Sequence, residues 1–512
     1  MSTREDTVRR APTALTASVL ILALAALAGA AGPDSHWAVP PEGACQPAGG
    51  LRGWPVGEDA PPIPFAPGDV IDFGAAEVLK SYLPAELWNQ RDQFFFEGMR
   101  LEIGPCFRDY SPPAFFDEAT RAFAGQARLD PEGGLEGYTA GLPFPPAAID
   151  PADPAAGLAW AWNVEARYQA AGFSGRFRIM DMVGRAHRGE PFEGEIFKAL
   201  LSFRADRPDE GYKSSQAQSY HWVAGGRFTM PFAAREFSWR QYRDVAHLTA
   251  PERTDDLHAY LPEWRRVRRL SAVAVEGLYL PGFSVGVVPA TQIAVGGSGA
   301  SAGGAYGGGG LQGGGGLGGA AGGAAVASSI KPKRNGFEGL EIRPLLYAYK
   351  VIGLQDVLAP INAAAPAYPE NPDRDFGPWG LSFASDRWDL RRALVLEGTL
   401  EKLEGDAEAS RILHYVDLQT LQPLYYVSWD KDGELIDVGM YVGRWSEDRQ
   451  GYAPWPDDSG RAVRVIDPVG AAFANVRDDG GWRRENWDTV STPPDDDELR
   501  RMLSVGQLTK RR

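Results

Sequence analysis

The sequence predicts an α+β fold, with one large, strongly curved antiparallel sheet and helices over its concave side. Three observations predict this class. Strand-like alternation dominates the C-terminal third, a hairpin signal joins two of its strands, and only two earlier segments have clear helical spacing. Successive hairpins with few helices between them are typical of a meandering antiparallel sheet that is apolar on one face.

Residues 1–30 have the form of a cleavable secretory signal. Arg4, Arg9 and Arg10 precede an apolar run over residues 14–27, and Ala28-Gly29-Ala30 supplies a small-residue cleavage site. The apolar run is shorter than the roughly 20 residues that a membrane span needs. The sequence therefore predicts export from the cytosol, with a retained N-terminal anchor as the alternative.

Residues 31–66 are rich in proline and glycine and read as an extended arm. Cys45 lies in this arm, and the only other cysteine is Cys106. In an oxidising compartment the two could form a disulfide that ties the arm to the body, or they could remain separate thiols. The sequence leaves both alternatives open.

Two segments show helical patterning. The first runs from Phe73 to Trp88 with a break at Pro84, and the second begins at Asp153 and Pro154, with Gly172 as a natural stop. Beyond Gly172 the pattern changes to strands. Phe177, Ile179 and Val183 alternate with Arg176, Arg178 and Met182, the period of two of a half-buried sheet.

A Gly/Ala-rich stretch interrupts the chain at residues 291–335. Such a segment buries too little apolar surface to offset the entropy of ordering it, so we expect a flexible insertion. The remaining chain is expected to form a single domain over residues 67–490. Residues 491–512 are expected to be a disordered charged tail.

The C-terminal third supplies the strongest strand signals. Trp388, Leu390, Leu394, Leu396 and Leu400 share one face of a strand, and the opposite face is polar, with Arg387, Asp389, Arg391 and Glu397. Two further strands, 424–429 and 434–445, flank Asp432-Gly433, which predicts a hairpin.

Residues 282–286, Gly-Phe-Ser-Val-Gly, fit the Gly-x-Ser-x-Gly motif of a hydrolase nucleophile. That motif needs a helix directly after the serine, whereas Val287, Val288 and Pro289 and the glycine-rich stretch follow here. We therefore predict no catalytic residues and no enzyme. A secreted serine esterase that uses Ser284 is the less favoured alternative.

The histidines give no metal signal, because no two of them stand at metal-ligand spacing on one helix, and no Cys-x-x-Cys is present. The sequence predicts neither a metal site nor a cofactor. The net charge of −15 with mostly scattered basic residues argues against nucleic acid as a partner.

The densest binding signal is the segment 260–270. Its arginines would be costly to bury without partners. They either bind phosphate or carboxylate groups or pair with acidic residues of neighbouring strands. Aromatic residues, most of which should be core, could also line an apolar cavity. The candidate ligand- or partner-binding residues are Tyr260, Trp264, Arg265, Arg266, Arg268, Arg269, Trp160 and Trp162.

Several short motifs in a specific order resemble DUF1329, a bacterial family of unknown function whose members are often labelled outer-membrane lipoprotein-sorting proteins. They are Pro67-Gly68-Asp69-Val70-Ile71, Gly141-Leu142-Pro143-Phe144-Pro145, the arginine-rich 255–269 segment and Trp429-Asp430-Lys431-Asp432-Gly433-Glu434-Leu435. Each motif alone is weak, and together they span most of residues 65–445. The glycine-rich insertion and the lack of a lipid-anchoring cysteine depart from what the resemblance leads us to expect.

The resemblance implies a distant relation to the LolA and LolB lipoprotein carriers and an open half-barrel fold. It implies a soluble, non-catalytic periplasmic carrier of a lipid or lipidated protein. The implied partners are acyl chains, an inner-membrane transporter of the resistance-nodulation-division type and an outer-membrane protein. The alternative is a structural subunit that docks on a membrane transporter through the arginine-rich segment.

Overall fold

The structure is a computed structural model. It describes residues 37–45, 62–183, 187–188, 191–208, 219–232, 234–250, 255–262, 265–270, 282–283, 330–331, 342, 344–364, 375–400, 409–456, 459–476 and 482–509. The predicted signal peptide and nearly all of the predicted insertion lie outside these residues. None of the helices within the described ranges has the length and apolar character that crossing a membrane requires.

Strands make up most of the described chain. They are β1 (Val70–Ile71), β2 (Leu101–Cys106), β3 (Arg128–Leu129), β4 (Leu135–Glu136), β5 (Gln169–Val183), β6 (His187–Arg188), β7 (Phe192–Leu200), β8 (Tyr220–Met230), β9 (Ser238–Asp244), β10 (Asp256–Leu261), β11 (Arg266–Leu270), β12 (Gly282–Phe283), β13 (Ile330–Lys331), β14 (Ala348–Ala359), β15 (Arg387–Thr399), β16 (Arg411–Asp417), β17 (Pro423–Trp429), β18 (Leu435–Trp445), β19 (Ile466–Asn475) and β20 (Trp482–Val490).

The helices are short. The α-helices are α1 (Ala85–Asn89), α2 (Arg91–Phe94), α3 (Ala114–Ala122), α4 (Ala156–Glu165) and α5 (Asp496–Leu503). The 3₁₀ helices are Phe73–Tyr82, Pro146–Ala148, Val245–Leu248, Ser446–Asp448 and Val505–Thr509.

One sheet of 16 strands dominates the fold. Its order is β1-β2-β15-β16-β17-β18-β19-β20-β5-β7-β8-β9-β10-β11, with β14 paired to β15 and β6 paired to β5. All of its pairs are antiparallel except β2 with β15. Among the described strands its two ends, β1 and β11, do not pair with each other, so the sheet is unclosed. The predicted α+β class and open antiparallel half-barrel are confirmed.

Both predicted helical segments contain helix, with different bounds. The first is a 3₁₀ helix capped by Asp72, whose side chain accepts from the Ala75 N–H at 2.9 Å, and α1 begins after Pro84. In the second, α4 begins two residues after Pro154, and the predicted stop was wrong. Gly172 lies within β5 at φ 104°, where a Cβ would collide with the backbone of Lys198.

The hairpin predicted around Asp432-Gly433 joins β17 to β18. Gly433 has a φ of 80°, a left-handed conformation that glycine adopts without the steric cost of a Cβ. The Asp430 side chain accepts from the Asp432 and Glu434 N–H groups, both at 2.8 Å, which closes the turn.

The sheet has two faces, and both are buried over much of its area. The first face carries Val395, Tyr415, Tyr425, Met440 and Ala472, which oppose one another in register from β15 to β19. They form one apolar cluster with the helices of residues 73–94.

The polar row on β15 is buried, which the sequence did not predict. The Asp389 and Arg391 side chains are fully enclosed, and each has a buried partner that offsets the cost of burying a charge. The Tyr110 hydroxyl donates to Asp389, and the Arg391 Nε donates to Asp417 at 2.7 Å. Burial raises the pKa of Asp389 to about 6.

The predicted disorder of residues 491–512 was wrong for the described part of this segment. Asp495 caps α5 by accepting from the Glu498 N–H at 2.7 Å. The apolar side of α5, with Leu499 and Leu503, packs on Val223 and Tyr242 of the sheet. Sequence analysis missed this helix because the acidic residues before its apolar side chains suggested a charged tail.

Cys45 and Cys106, whose pairing the sequence left open, are joined by a disulfide. Residues from Val39 to Arg512 belong to one compact unit. The disulfide fixes the start of this unit to β2, beside β15, because Cys106 is the last residue of β2 and pairs in register with Leu390.

Candidate functional site

The second face of the sheet, here called the aromatic face, carries apolar side chains over most of its width. One row across β15–β19 is Leu396, His414, Tyr426, Gly439 and Phe473. Two further rows lie on the same face. The first crosses β20, β5, β7 and β8 with Trp487, Phe177, Gly194 and Phe228. The second crosses β7, β8, β9 and β10 with Ile196, Gly226, Trp239 and Ala259. Strand alternation sets all of these side chains on one side.

The aromatic rings touch one another along this face. The Phe177 ring lies 5.4 Å from that of Phe228 and 5.9 Å from that of Trp487, and the Phe228 and Trp239 rings are 5.5 Å apart. All four side chains are fully buried. They belong to one buried apolar cluster on this face.

Glycines give the rings of the aromatic face room against the backbone. Each of three rings lies over a glycine on the next strand: Phe177 over Gly194, Trp239 over Gly226, and Phe473 over Gly439. A Cβ at Gly194 would stand 2.6 Å from the Phe177 ring, and one at Gly226 would stand 2.5 Å from the Trp239 ring. Without side chains below them, the rings lie close to the backbone.

His414 is a polar residue within the apolar row on β15–β19. It is 2 % exposed, and neither ring nitrogen has a hydrogen-bond partner among the described residues. Burial lowers the pKa of His414 to about 3, so the ring is neutral at physiological pH. A neutral histidine leaves this part of the face without charge.

Helix α4 carries Trp160 and Trp162, which sequence analysis predicts as candidate ligand-binding residues. Both are buried, and the Trp162 Nε1 donates to the Gly133 carbonyl at 3.0 Å. The helix packs on β14, where a Cβ at Gly157 would collide with the Tyr349 carbonyl. The prediction that Trp160 and Trp162 bind a ligand stays a prediction.

Buried charged groups gather where α4 ends, on the side of the aromatic face. Arg243, opposite Trp222 in register, donates from Nε and Nη2 to the two carboxylate oxygens of Asp255, each at 3.1 Å. The Glu165 carboxylate at the end of α4 lies 3.8 Å from Arg243 Nη1 and 2.6 Å from His247 Nε2.

Two histidines complete this polar cluster. The ring of His221, on β8, stacks on that of His247 with centroids 5.1 Å apart and planes within 14°. The nearby Tyr138 hydroxyl donates to the Gly141 carbonyl, and burial followed by the charge of Glu165 raises the pKa of Tyr138. Sequence analysis missed this cluster because its members lie on separate elements far apart along the chain.

The arginine-rich segment lies at the far end of the sheet order. Arg265, Arg266, Arg268 and Arg269 are exposed, and Arg269 forms an ion pair with Asp256 of the neighbouring strand. Tyr260 on β10 is half-buried, and Trp264 lies outside the described residues. Tyr260 and the arginines lie on or beside the neighbouring strands β10 and β11, whereas Trp160 and Trp162 lie on α4, and the predicted binding role of these residues stays a prediction.

Ser284 lies outside the described residues, so the structure does not test the serine-esterase alternative. Gly282 and Phe283, directly before it, form β12 and pair with β13. His258, which follows Asp256, lies within β10, and burial lowers its pKa.

Comparison with known proteins finds one family. The model described as a protein of unknown function, DUF1329, matches residues 75–282 and 335–457. No curated protein shows a significant match to the sequence.

Solved structures similar to this chain have low sequence identity to it. A Vibrio parahaemolyticus domain named for outer membrane lipoprotein sorting is 12% identical, with a TM-score of 0.36, over 70% of this chain and 100% of that chain. A DUF1329 family protein from Desulfovibrio piger is 12% identical, with a TM-score of 0.37, over 70% and 99%. A LolA superfamily protein from Nitrosomonas europaea is 11% identical, with a TM-score of 0.29, over 67% and 94%.

Proposed function

We propose, from the premise that this chain belongs to the DUF1329 family, that it is a non-catalytic binding protein that carries a lipid or the acyl chains of a lipidated protein. The observation that carries the proposal is the aromatic face, where rings over glycines form apolar rows on an unclosed sheet.

The energetics favour hydrocarbon as the ligand. Each CH₂ group that leaves water contributes about 0.8 kcal/mol, so a long acyl chain binds with few polar contacts. The aromatic rows named above contain no charged group, since His414 is neutral; the buried charges of Glu165, Arg243 and Asp255 gather at the end of α4, and the arginines of segment 265–269 are exposed. Because the rings are buried, a lipid must displace the groups that cover them when it enters.

We place this carrier in the periplasm on the strength of the predicted signal, and we propose that it passes its cargo toward the outer membrane. A transporter of the resistance-nodulation-division type and an outer-membrane protein are the proposed partners. Cross-linking in intact cells tests these partners, and recovery of neither class of protein would refute this part of the proposal.

The experiment that tests binding uses the exported chain purified from the periplasm. Native mass spectrometry and lipid extraction should recover a bound lipid, and a fluorescent fatty acid should bind to the delipidated protein. Recovery of no lipid together with no fatty-acid binding would refute the carrier.

A matched pair of variants on β7 localises the site. Phe192 lies on the aromatic face, opposite Ile179, whereas Phe197 lies on the other face, against Arg240. Phe192→Ala should weaken fatty-acid binding at least tenfold, and Phe197→Ala should leave it unchanged. Equal loss in both variants would place the lipid elsewhere.

The exposed arginines favour a second function, a subunit that docks on an acidic surface of a membrane transporter. The combined change of Arg265, Arg266, Arg268 and Arg269 to Glu should then abolish co-purification with the transporter and leave lipid binding intact. Retained co-purification would exclude this docking function.

A further inference from the structure

We propose that Glu165, His221 and His247 form a binding site for a divalent transition-metal ion of the zinc class. Each residue offers one ligand atom, and these atoms all lie within 4.8 Å of one another. In the tetrahedral geometry that zinc prefers, two ligand atoms stand about 3.3 Å apart. A side-chain movement of about 1.5 Å therefore completes the set.

The orientation of His247 is that of a metal ligand. Its Nδ1 lies 2.8 Å from the Asp244 carbonyl oxygen, which can only accept, so Nδ1 carries the proton. Its Nε2 lies 2.6 Å from the Glu165 carboxylate, a contact that is an ion pair when the ring is protonated and that gives two ligand atoms when a metal ion replaces the proton. A backbone carbonyl on Nδ1 is the usual partner of a metal-bound histidine.

Glu165 has the unsatisfied atom that a metal would use. Its side chain is 5% exposed, and its Oε2 has no hydrogen-bond partner among the described residues. A buried carboxylate oxygen without a partner is costly, and coordination of a cation removes that cost.

The neighbouring cations leave Oε2 of Glu165 without a hydrogen bond among the described residues. Arg243 forms an ion pair with Glu165 Oε1 at 3.8 Å and closer contacts with Asp255 at 3.1 Å. Lys198, against the same Trp222 ring as Arg243, donates to Gln169 at 3.1 Å. Glu165 Oε2 is therefore the atom that a further cation would bind.

The donor set selects the metal class. Two imidazoles and one carboxylate suit Zn²⁺ and other late first-row ions, whereas Ca²⁺ and Mg²⁺ prefer oxygen donors alone. The three ligands come from α4, β8 and the 3₁₀ helix Val245–Leu248, so a bound ion would fasten α4 to the sheet.

The test uses the exported full chain after treatment with a chelator. Titration with Zn²⁺ followed by calorimetry should give one bound ion per chain, and Zn²⁺ should raise the Tm in a concentration-dependent way. Glu165→Gln and His247→Ala should each weaken Zn²⁺ binding at least tenfold and remove the rise in Tm.

His258→Ala is the matched control, since His258 lies on neighbouring β10 outside the cluster. It should bind Zn²⁺ like the unchanged chain. His221→Gln serves as a further variant if His247→Ala fails to fold. No stoichiometric Zn²⁺ binding by the unchanged chain, or an equal loss in His258→Ala, would overturn the proposal. Fatty-acid binding tests the carrier function and Zn²⁺ binding tests the metal site, so a negative result in one measurement leaves the other proposal standing.

Discussion

The ring of Phe473 lies over Gly439, its partner on the neighbouring strand. A Cβ at position 439 would stand 2.6 Å from Cε1 of that ring and nearer still to Cδ1. The same arrangement recurs at Gly194 and Gly226, so glycine sets the shape of the aromatic face.

Replacement of Gly439 should therefore be destabilising through overpacking. Gly439→Ala should lower the free energy of unfolding by about 1–3 kcal/mol, as measured by urea denaturation. Gly506→Ala is the control, because its nearest neighbour would be 3.5 Å away, and its effect should stay within about 0.5 kcal/mol. If Phe473→Leu restores none of the loss in a double variant, the ring is not the obstacle.

The buried ion pair between Arg391 and Asp417 should be costly to break. Both side chains are 1% exposed, so removal of one partner leaves an uncompensated charge. Asp417→Asn should cost about 3–5 kcal/mol of unfolding free energy. At the exposed Arg128–Glu136 pair, Glu136→Gln should cost less than about 1 kcal/mol. Similar costs at the two sites would contradict the burial of Asp417.

His414 should make the protein sensitive to acid. Its pKa is lowered from 6.5 to about 3 in the folded state, so the unfolded chain takes up the proton first as the pH falls. This residue's contribution to stability should therefore fall by about 1.4 kcal/mol per pH unit below pH 6.5 and level off near pH 3.

His414→Leu removes that titration. The difference in unfolding free energy between this variant and the unchanged chain should grow in favour of the variant over the same pH range. A control variant without a titrating group, Phe197→Ala, should differ from the unchanged chain by a constant amount. A pH-independent difference for His414→Leu would mean that the ring is solvated.

Helix α5 should contribute to global stability. Leu503→Ala removes a side chain that packs in the cluster with Val223 and Tyr242, and should cost about 2–5 kcal/mol. Arg500→Ala, on the exposed side of the same helix, should change stability by about 0.5 kcal/mol or less. Equal thermal unfolding curves for both variants would show that the helix does not dock.

Local patterns explain what sequence analysis predicted correctly. The alternation of apolar and polar residues around Phe177 and Ile179 predicted β5. Asp432-Gly433 predicted the hairpin between β17 and β18. These features depend on residues that are neighbours in the chain. The end of α4 was misplaced because Gly172 is required by a close approach to Lys198 on another strand, not by a helix terminus.

The candidate site required the three-dimensional arrangement. Phe177 and Trp239 look like ordinary core residues in sequence, and only strand register sets them over Gly194 and Gly226. Likewise, Asp389 looks like a surface charge until the fold encloses it with Tyr110.

The sequence by itself determined the antiparallel sheet, the family resemblance and the two cysteines available to pair, because period-two alternation, turn residues and short motifs are local. The tertiary structure decided which polar residues are buried, how α5 docks, and that Glu165, His221 and His247 meet. Those outcomes depend on contacts between residues far apart in the chain, and strand order and register bring such residues together only after folding.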